Sequence, residues 1–379
     1  MSPQSHQTIT KHFASLKDPR DGNATQHQLQ DILVIAICAS ICGADTWGDV
    51  ETWGSAKEKW LRTFLELPNG IPSHDTFGRV FALLDPEEFR QGFLSWIRAI
   101  QKLTRGQVIA LDGKKLRRSH NGRLGKKAIA MVSAWATANH LVLGQVKVRS
   151  KSNEITAIPE LLRMLEISGC IVTIDAIGCQ PKIAAKIVKK DTDYVLAVKQ
   201  NQGQLFDDVK DLFAGCQEEN FLQVPHDYTK TIEKGHGRIE IRECWTLADP
   251  EFLDYLRHRD AWPKLHAVAM VRAERRIGTK RSRETRYYIT SVENNAKQIL
   301  EAIRAHWGIE NGLHWVLDIG FREDESRVRK DHAPENMAVL RHIAVNLLKQ
   351  EQTAKIGIKA KRLKAAWDQD YLLKVLSTG

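Results

Sequence analysis

At 379 residues the chain is too long for one ordinary domain and long enough for two or three. With 42% hydrophobic and 27% charged residues it falls within the soluble globular range, which excludes a disordered chain. Lys and Arg outnumber Asp and Glu by 56 to 46, a balance of +10 that favours polyanionic partners without separating nucleic acid from a membrane surface or a merely basic enzyme.

Residues 1–105 read as helical. QLQDILVIAICASICGA has Asp31 near its start and stops at Gly43, as a buried helix does. PSHDTFGRVFALL offers a Ser and an Asp as helix starters and sets Phe77, Val80, Phe81 and Leu84 on one face. A further start at Asp85-Pro86 leads into EEFRQGFLSWI. Short helices joined by tight turns suit a helix-turn-helix-like DNA-binding module, and they suit a small helical core domain equally well. The apolar run Ile32–Ala44 is shorter than the ~20 residues a bilayer span needs. It follows a polar stretch with no basic leader, unlike a signal peptide. The six cysteines form no CxxC pair and no zinc-like spacing, so free thiols in a reducing cytoplasm are expected.

The period then changes. GQVIALDGK, AIAMVSAWAT and HLVLGQVKV read as three strands. EITAIPELLRMLE follows as a helix, CIVTIDAIG as a buried strand, PKIAAKIVKK as a helix with Pro181 in its first turn, and DYVLAVK as a fifth strand. This order predicts an α/β sheet in which an antiparallel meander runs into parallel βαβ units. From 201 to 295 the texture is β-rich, with TKTIEKGHGRIEIRECWTL, KLHAVAMVRAERR and ETRYYITSV as strand-like segments. AKQILEAIRAHWGIENGLHWVLDIGF is then long and helical, and residues 350–379 form a basic helical tail. The expected division is a helical N-terminal domain at 1–105, core segments at 106–200 and 296–349, a β-rich insertion at 201–295, and the tail.

Residues 101–150 hold eleven Lys or Arg against one acid, Asp112. Asp112 ends the first predicted strand, and Asp175 ends the fourth. If those strands are neighbours, as in an RNase H-like sheet, the two carboxylates face each other. Phosphodiester chemistry uses such convergence, because two metals about 4 Å apart clamp the attacking and leaving oxygens. Mg²⁺ takes hard oxygen ligands and keeps room for water and substrate. A single aspartate at a strand end is as readily a turn-former or helix cap; two in matched contexts favour a site. Glu310 would join them from the helix after the insertion, on a face marked by Trp307, Leu313, His314 and Trp315.

The segments ALDGK, KSNEITAIPELL, VTIDAIGCQ, YVLAVKQNQ, HGRIEIRE and HWGIENGLHWVLDIGFREDESRVRK, in that order, resemble the H-repeat-associated, ISAs-type DDE transposases of the IS4-like superfamily. The likeness runs from about Asp18 to Leu348. It implies an RNase H-like catalytic core interrupted by a β-rich insertion, with Asp112, Asp175 and Glu310 as the triad that binds two Mg²⁺ or Mn²⁺ ions. It further implies cleavage at insertion-sequence ends and strand transfer into target DNA, by a homodimer on double-stranded DNA, in the cytoplasm. One departure stands out. Where the wider superfamily carries a Tyr and an Arg before the glutamate and a Lys after it, this sequence has Ile303, His306 and Leu317.

Arg304, His306, His314 and Arg322 are the substitutes available to grip DNA, and Asp318 is a rival third ligand. Lys114, Lys115, Arg117 and Arg118 follow Asp112 and could meet phosphates; a solvated basic turn explains them equally well. Lys199 and Asn201 end the fifth strand, and His236 and Arg238 lie in a hairpin of the insertion. RAERRIGTKRSRETR reads as a basic loop. Of the ten tryptophans most serve the core, leaving one in the insertion or near Glu310 to stack on an unpaired base. Two other readings stay open: an RNase H-like nuclease without strand transfer, and a catalytically silent DNA-binding remnant.

Overall fold

The computed structural model describes residues 9–22, 25–120, 127–149, 153–222, 224–235 and 237–378. Helix α1, Leu29–Ile41, is buried along nearly its whole length, as its unbroken apolar sequence requires. Helix α2, Trp47–Leu61, starts on a reciprocal cap, with Thr46 Oγ1 accepting from Asp49 N–H and Asp49 accepting from Thr46 N–H. Helices α3, His74–Leu83, and α4, Pro86–Ile100, begin where the sequence places them, capped by Ser73 and Asp85.

The central sheet has nine strands in the order β3-β2-β1-β4-β5-β9-β8-β7-β6. Strands β1 (Val108–Lys115), β2 (Ala130–Ala136) and β3 (Leu141–Lys147) form the antiparallel meander. Strands β4 (Ile171–Ile174) and β5 (Asp193–Val198) run parallel to β1. Their crossovers are α5 (Glu154–Met164) and α6 (Pro181–Val188). Ile171 and Val195 pack with Ile299, Leu300 and Ile303 of helix α8 (Ala296–His306) on one face. Val172 and Leu196, one residue on, join Ile158, Leu161 and Ile183 in the main core on the other. The strands are buried on both sides, so they read as continuous apolar runs rather than alternating ones.

The β-rich segment is an extension of this sheet. Strand β9 (Lys280–Thr290) lies antiparallel on β5, with Val198 opposite Tyr287, and β8 (Ala267–Ile277), β7 (Arg238–Leu247) and β6 (Asp227–Gly235) follow outward. Between β5 and β6 the chain forms helix α7, Gly203–Glu218, within the stretch expected to be β-rich. Leu205, Val209, Phe213 and Cys216 form its buried stripe at helical spacing.

Beyond α8 come α9 (Trp315–Phe321) and α10 (Ala333–Gln350). Helix α10 joins the N-terminal helices to the sheet. Asn336 Nδ2 donates to the carbonyls of Phe81 and Leu84, each at 2.9 Å, and Asn346 accepts from Val142 N–H at 2.8 Å and donates to Val142 C=O at 3.0 Å. The basic tail is packed as well. In α11 (Ile358–Trp367) the Arg362 guanidinium is buried and reaches Ser40 C=O at 3.0 Å, Asp45 Oδ1 at 2.9 Å and Gly320 C=O. Helix α12, Gln369–Leu376, closes the chain. All six cysteines are buried free thiols, and among the described residues no helix is long and apolar enough to cross a membrane.

Candidate active site

Strands β1 and β4 pair in register up to Leu111 and Ile174, so Asp112 and Asp175 are the next residues on two adjacent parallel strands. Only β1 continues past this point, because it stays paired with β2, Asp112 lying opposite Ser133. The Asp112 Oδ1 accepts from Gly113 N–H at 2.8 Å. Asp175 Oδ1 accepts from Ile177 N–H at 3.1 Å and caps the short turn Ala176–Gly178.

Glu310 does not sit on a continuous helix. After α8 ends at His306, residues Glu310–His314 form a π turn, and α9 resumes the ordinary winding. Such wide turns concentrate at functional sites. Here the turn is seated on the buried indole of Trp135 in β2: a Cβ on Gly312 would lie 2.9 Å from its Cζ2. Glycine therefore lets the Glu310 segment reach the sheet. The turn also buries His314, only 5% exposed, with Nδ1 3.4 Å from Asp112 Oδ2 and 3.5 Å from Glu310 Oε2. Asp112, Glu310 and His314 each bring one potential ligand atom within 4.8 Å of the others.

The electrostatics are those of crowded acids. Burial, then the charges of Glu310 and Asp175, push the Asp112 carboxyl up to about 8. Burial pulls His306 and His314 down, against the carboxylates around them. His306 lies 3.1 Å from Thr173 Oγ1. A fourth acid, Glu154, was not singled out from the sequence. Its carboxyl packs on Gly113, where a Cβ would stand 2.1 Å from Glu154 Oε1, and burial followed by the charge of Asp175 raises it. In the sequence Glu154 looks like any acid in a first helical turn.

Lys114 turns inward. Its Nζ is 2.7 Å from Glu323 Oε2 and also bonds Asp318, while Glu323 Oε1 lies 3.7 Å from Arg341 Nη1. Asp318 thus gives its carboxylate to Lys114, and Glu310 is the one beside Asp112. Lys115, Arg117 and Arg118 are exposed, Arg117 pairing with Asp324 at 3.0 Å. Lys199 is exposed, and Asn201 Nδ2 donates to Ala176 C=O at 2.6 Å, beside Asp175. Arg238 pairs with Glu240 at 3.1 Å, Arg304 with Glu233 at 2.5 Å and Arg322 with Glu325. His236 lies outside the described residues. Ile303 and Leu317, at the departed family positions, are buried apolar groups. Trp307 and Trp315, 49% and 61% exposed, flank Glu310.

A helical N-terminal region ahead of a mixed sheet ordered 3-2-1-4-5 at its core, with acids at the ends of its two central strands, defines the class of proteins built on an RNase H-like core. Within that class the chain belongs to the DDE transposases: the family described as Transposase DDE domain matches residues 103–347, and the DDE_Tnp_1-associated family matches residues 10–97. It is 40% identical over 373 residues to "Putative transposase YncI" of Escherichia coli O157:H7, covering 98% of this chain and 95% of that one. It is 40% identical over 374 residues to "H repeat-associated putative transposase YhhI" of Escherichia coli strain K12, covering 97% of each. Among solved structures, the piggyBac transposase synaptic complex with hairpin DNA is similar at a TM-score of 0.45 and 11% identity, over 96% of this chain and 76% of that one.

Proposed function

We propose that this transposase cleaves DNA at the ends of an insertion sequence and joins the freed 3′-hydroxyl to target DNA, using Asp112, Asp175 and Glu310 at one metal-dependent site. The observation that carries this reading is the approach of Glu310 to Asp112, with a potential ligand atom of each within 4.8 Å of the other; burial and then the Glu310 charge raise the Asp112 carboxyl to about 8. A divalent cation resolves that repulsion, and hard carboxylate oxygens fit Mg²⁺ or Mn²⁺. When bound, two such ions supply Lewis-acid activation of water or a 3′-hydroxyl and offset the charge that builds on the leaving oxygen.

The chain's own residues then have separate tasks. Asp112 and Glu310 would hold the cation from β1 and the π turn, and Asp175, just after β4, would add its carboxylate. Exposed Lys115, Arg118 and Lys199, at the rim of the same sheet end, hold duplex phosphates without reading sequence. Bringing together two element ends calls for a homodimer on DNA, and a bacterial chromosome as substrate places the protein in the cytoplasm. Asp112→Ala should abolish strand cleavage in Mg²⁺ or Mn²⁺ while retarding element-end DNA in a gel as wild type does. Undiminished cleavage by that variant would sink the assignment.

A further inference from the structure

Resting on the reading of Asp112 and Glu310 as metal ligands, we propose that His314 is a direct nitrogen ligand of the same ion, making this position a mixed nitrogen–oxygen site that selects Mn²⁺ over Mg²⁺. Glu310 and His314 are four residues apart, and the π turn brings both side chains toward β1. Ligands at i and i+4 on one helical face are a recurrent way of holding a metal. The imidazole is shielded from solvent, and its Nδ1 edge faces Asp112 Oδ2 at 3.4 Å and Glu310 Oε2 at 3.5 Å.

Those distances are too long for good hydrogen bonds, which lie at 2.7–3.2 Å. They suit three ligand atoms arranged about a common ion. On the opposite edge, Nε2 is buried with no hydrogen-bond partner, and Lys114 and Glu323 also act on the ring electrostatically. A ring protonated at Nε2 presents the Nδ1 lone pair to a cation placed among these atoms. Imidazole is a poor ligand for hard Mg²⁺ and a good one for later, softer divalent ions, so it shifts the preference of an otherwise carboxylate site toward Mn²⁺.

The test is pulsed electron paramagnetic resonance of Mn²⁺ bound to the full-length protein, with and without ¹⁵N-labelled histidine. Wild type should show ¹⁴N modulation on Mn²⁺ that changes to the ¹⁵N pattern on labelling. The signal should persist in His306→Gln and vanish in His314→Gln, and the ratio of Mn²⁺ to Mg²⁺ affinity should fall at least about tenfold in His314→Gln. Mn²⁺ bound by wild type without nitrogen modulation, or modulation that survives in His314→Gln, overturns the proposal and leaves the carboxylate site standing. Failure of wild type to bind Mn²⁺ at all, even with element-end DNA, defeats the metal reading beneath it as well. The labelled wild-type spectrum decides whether histidine nitrogen is present even if the His314 variant fails to fold.

Discussion

Asp112 is separated by a single residue from Lys114, yet the two side chains serve opposite ends. Asp112 feels the charges of Glu310 and Asp175, whereas Lys114 enters a charge network with Asp318, Glu323 and Arg341. Glu323 is 3% exposed, and its carboxyl is held below the ordinary value because Lys114 and Arg341 outweigh the cost of burial. Removing one member of a buried ion pair strands the others, so Glu323→Ala should lower stability by about 3–5 kcal/mol in equilibrium denaturation. A loss under 1 kcal/mol would show that the network relaxes into solvent. Glu351 makes a second residue-scale prediction. Burial raises its carboxyl, but hydrogen bonds from Thr353, Tyr371 and the Thr353 and Ala354 amides together hold it down at about 2, against 4.5 unperturbed. A depressed carboxyl stabilises the fold above its unfolded value, and that contribution disappears as pH falls through the folded value. Thermal midpoints should therefore drop from about pH 4.5 toward pH 2, and Glu351→Gln should flatten that part of the profile.

At the scale of elements, the decisive feature is the π turn at Glu310–His314 and its contact with Trp135. A methyl group on Gly312 has 2.9 Å to the indole edge, so the turn or the ring must move. Gly312→Ala should cost about 1–3 kcal/mol of stability and reduce strand cleavage out of proportion to that loss. Unchanged cleavage with a lowered melting temperature would separate the turn from catalysis. This element marks where sequence reasoning ended. Asp112 and Asp175 were legible because an apolar run that stops at an acid is a local signal, and the β1–β4 register bears out their adjacency. The winding around Glu310 was not legible, since it is set by packing on a tryptophan far away in the chain. His314 read as a possible DNA contact for the same reason. Helix α7 was legible in principle, through Leu205, Val209 and Phe213, but lay between segments of strong strand character.

For the whole molecule, the N-terminal helices and the catalytic sheet share one hydrophobic core, joined through α10 and closed by the tail helices. The sequence suggested a helical leading domain and a basic helical tail; buried asparagines in α10 and buried Lys361 and Arg362 in α11 could not be told from surface polar residues without the fold. The outer strands extend the same sheet whose central strands lead to Asp112 and Asp175. The central claim, that one site both cuts and joins DNA, is tested most directly with pre-cut element ends. Incubated with supercoiled target DNA and Mn²⁺, wild-type protein should covalently join the 3′-ends to the target, and Asp112→Ala should join none. Cleavage of uncut ends by wild type without any joining of pre-cut ones would contradict the account and leave a nuclease.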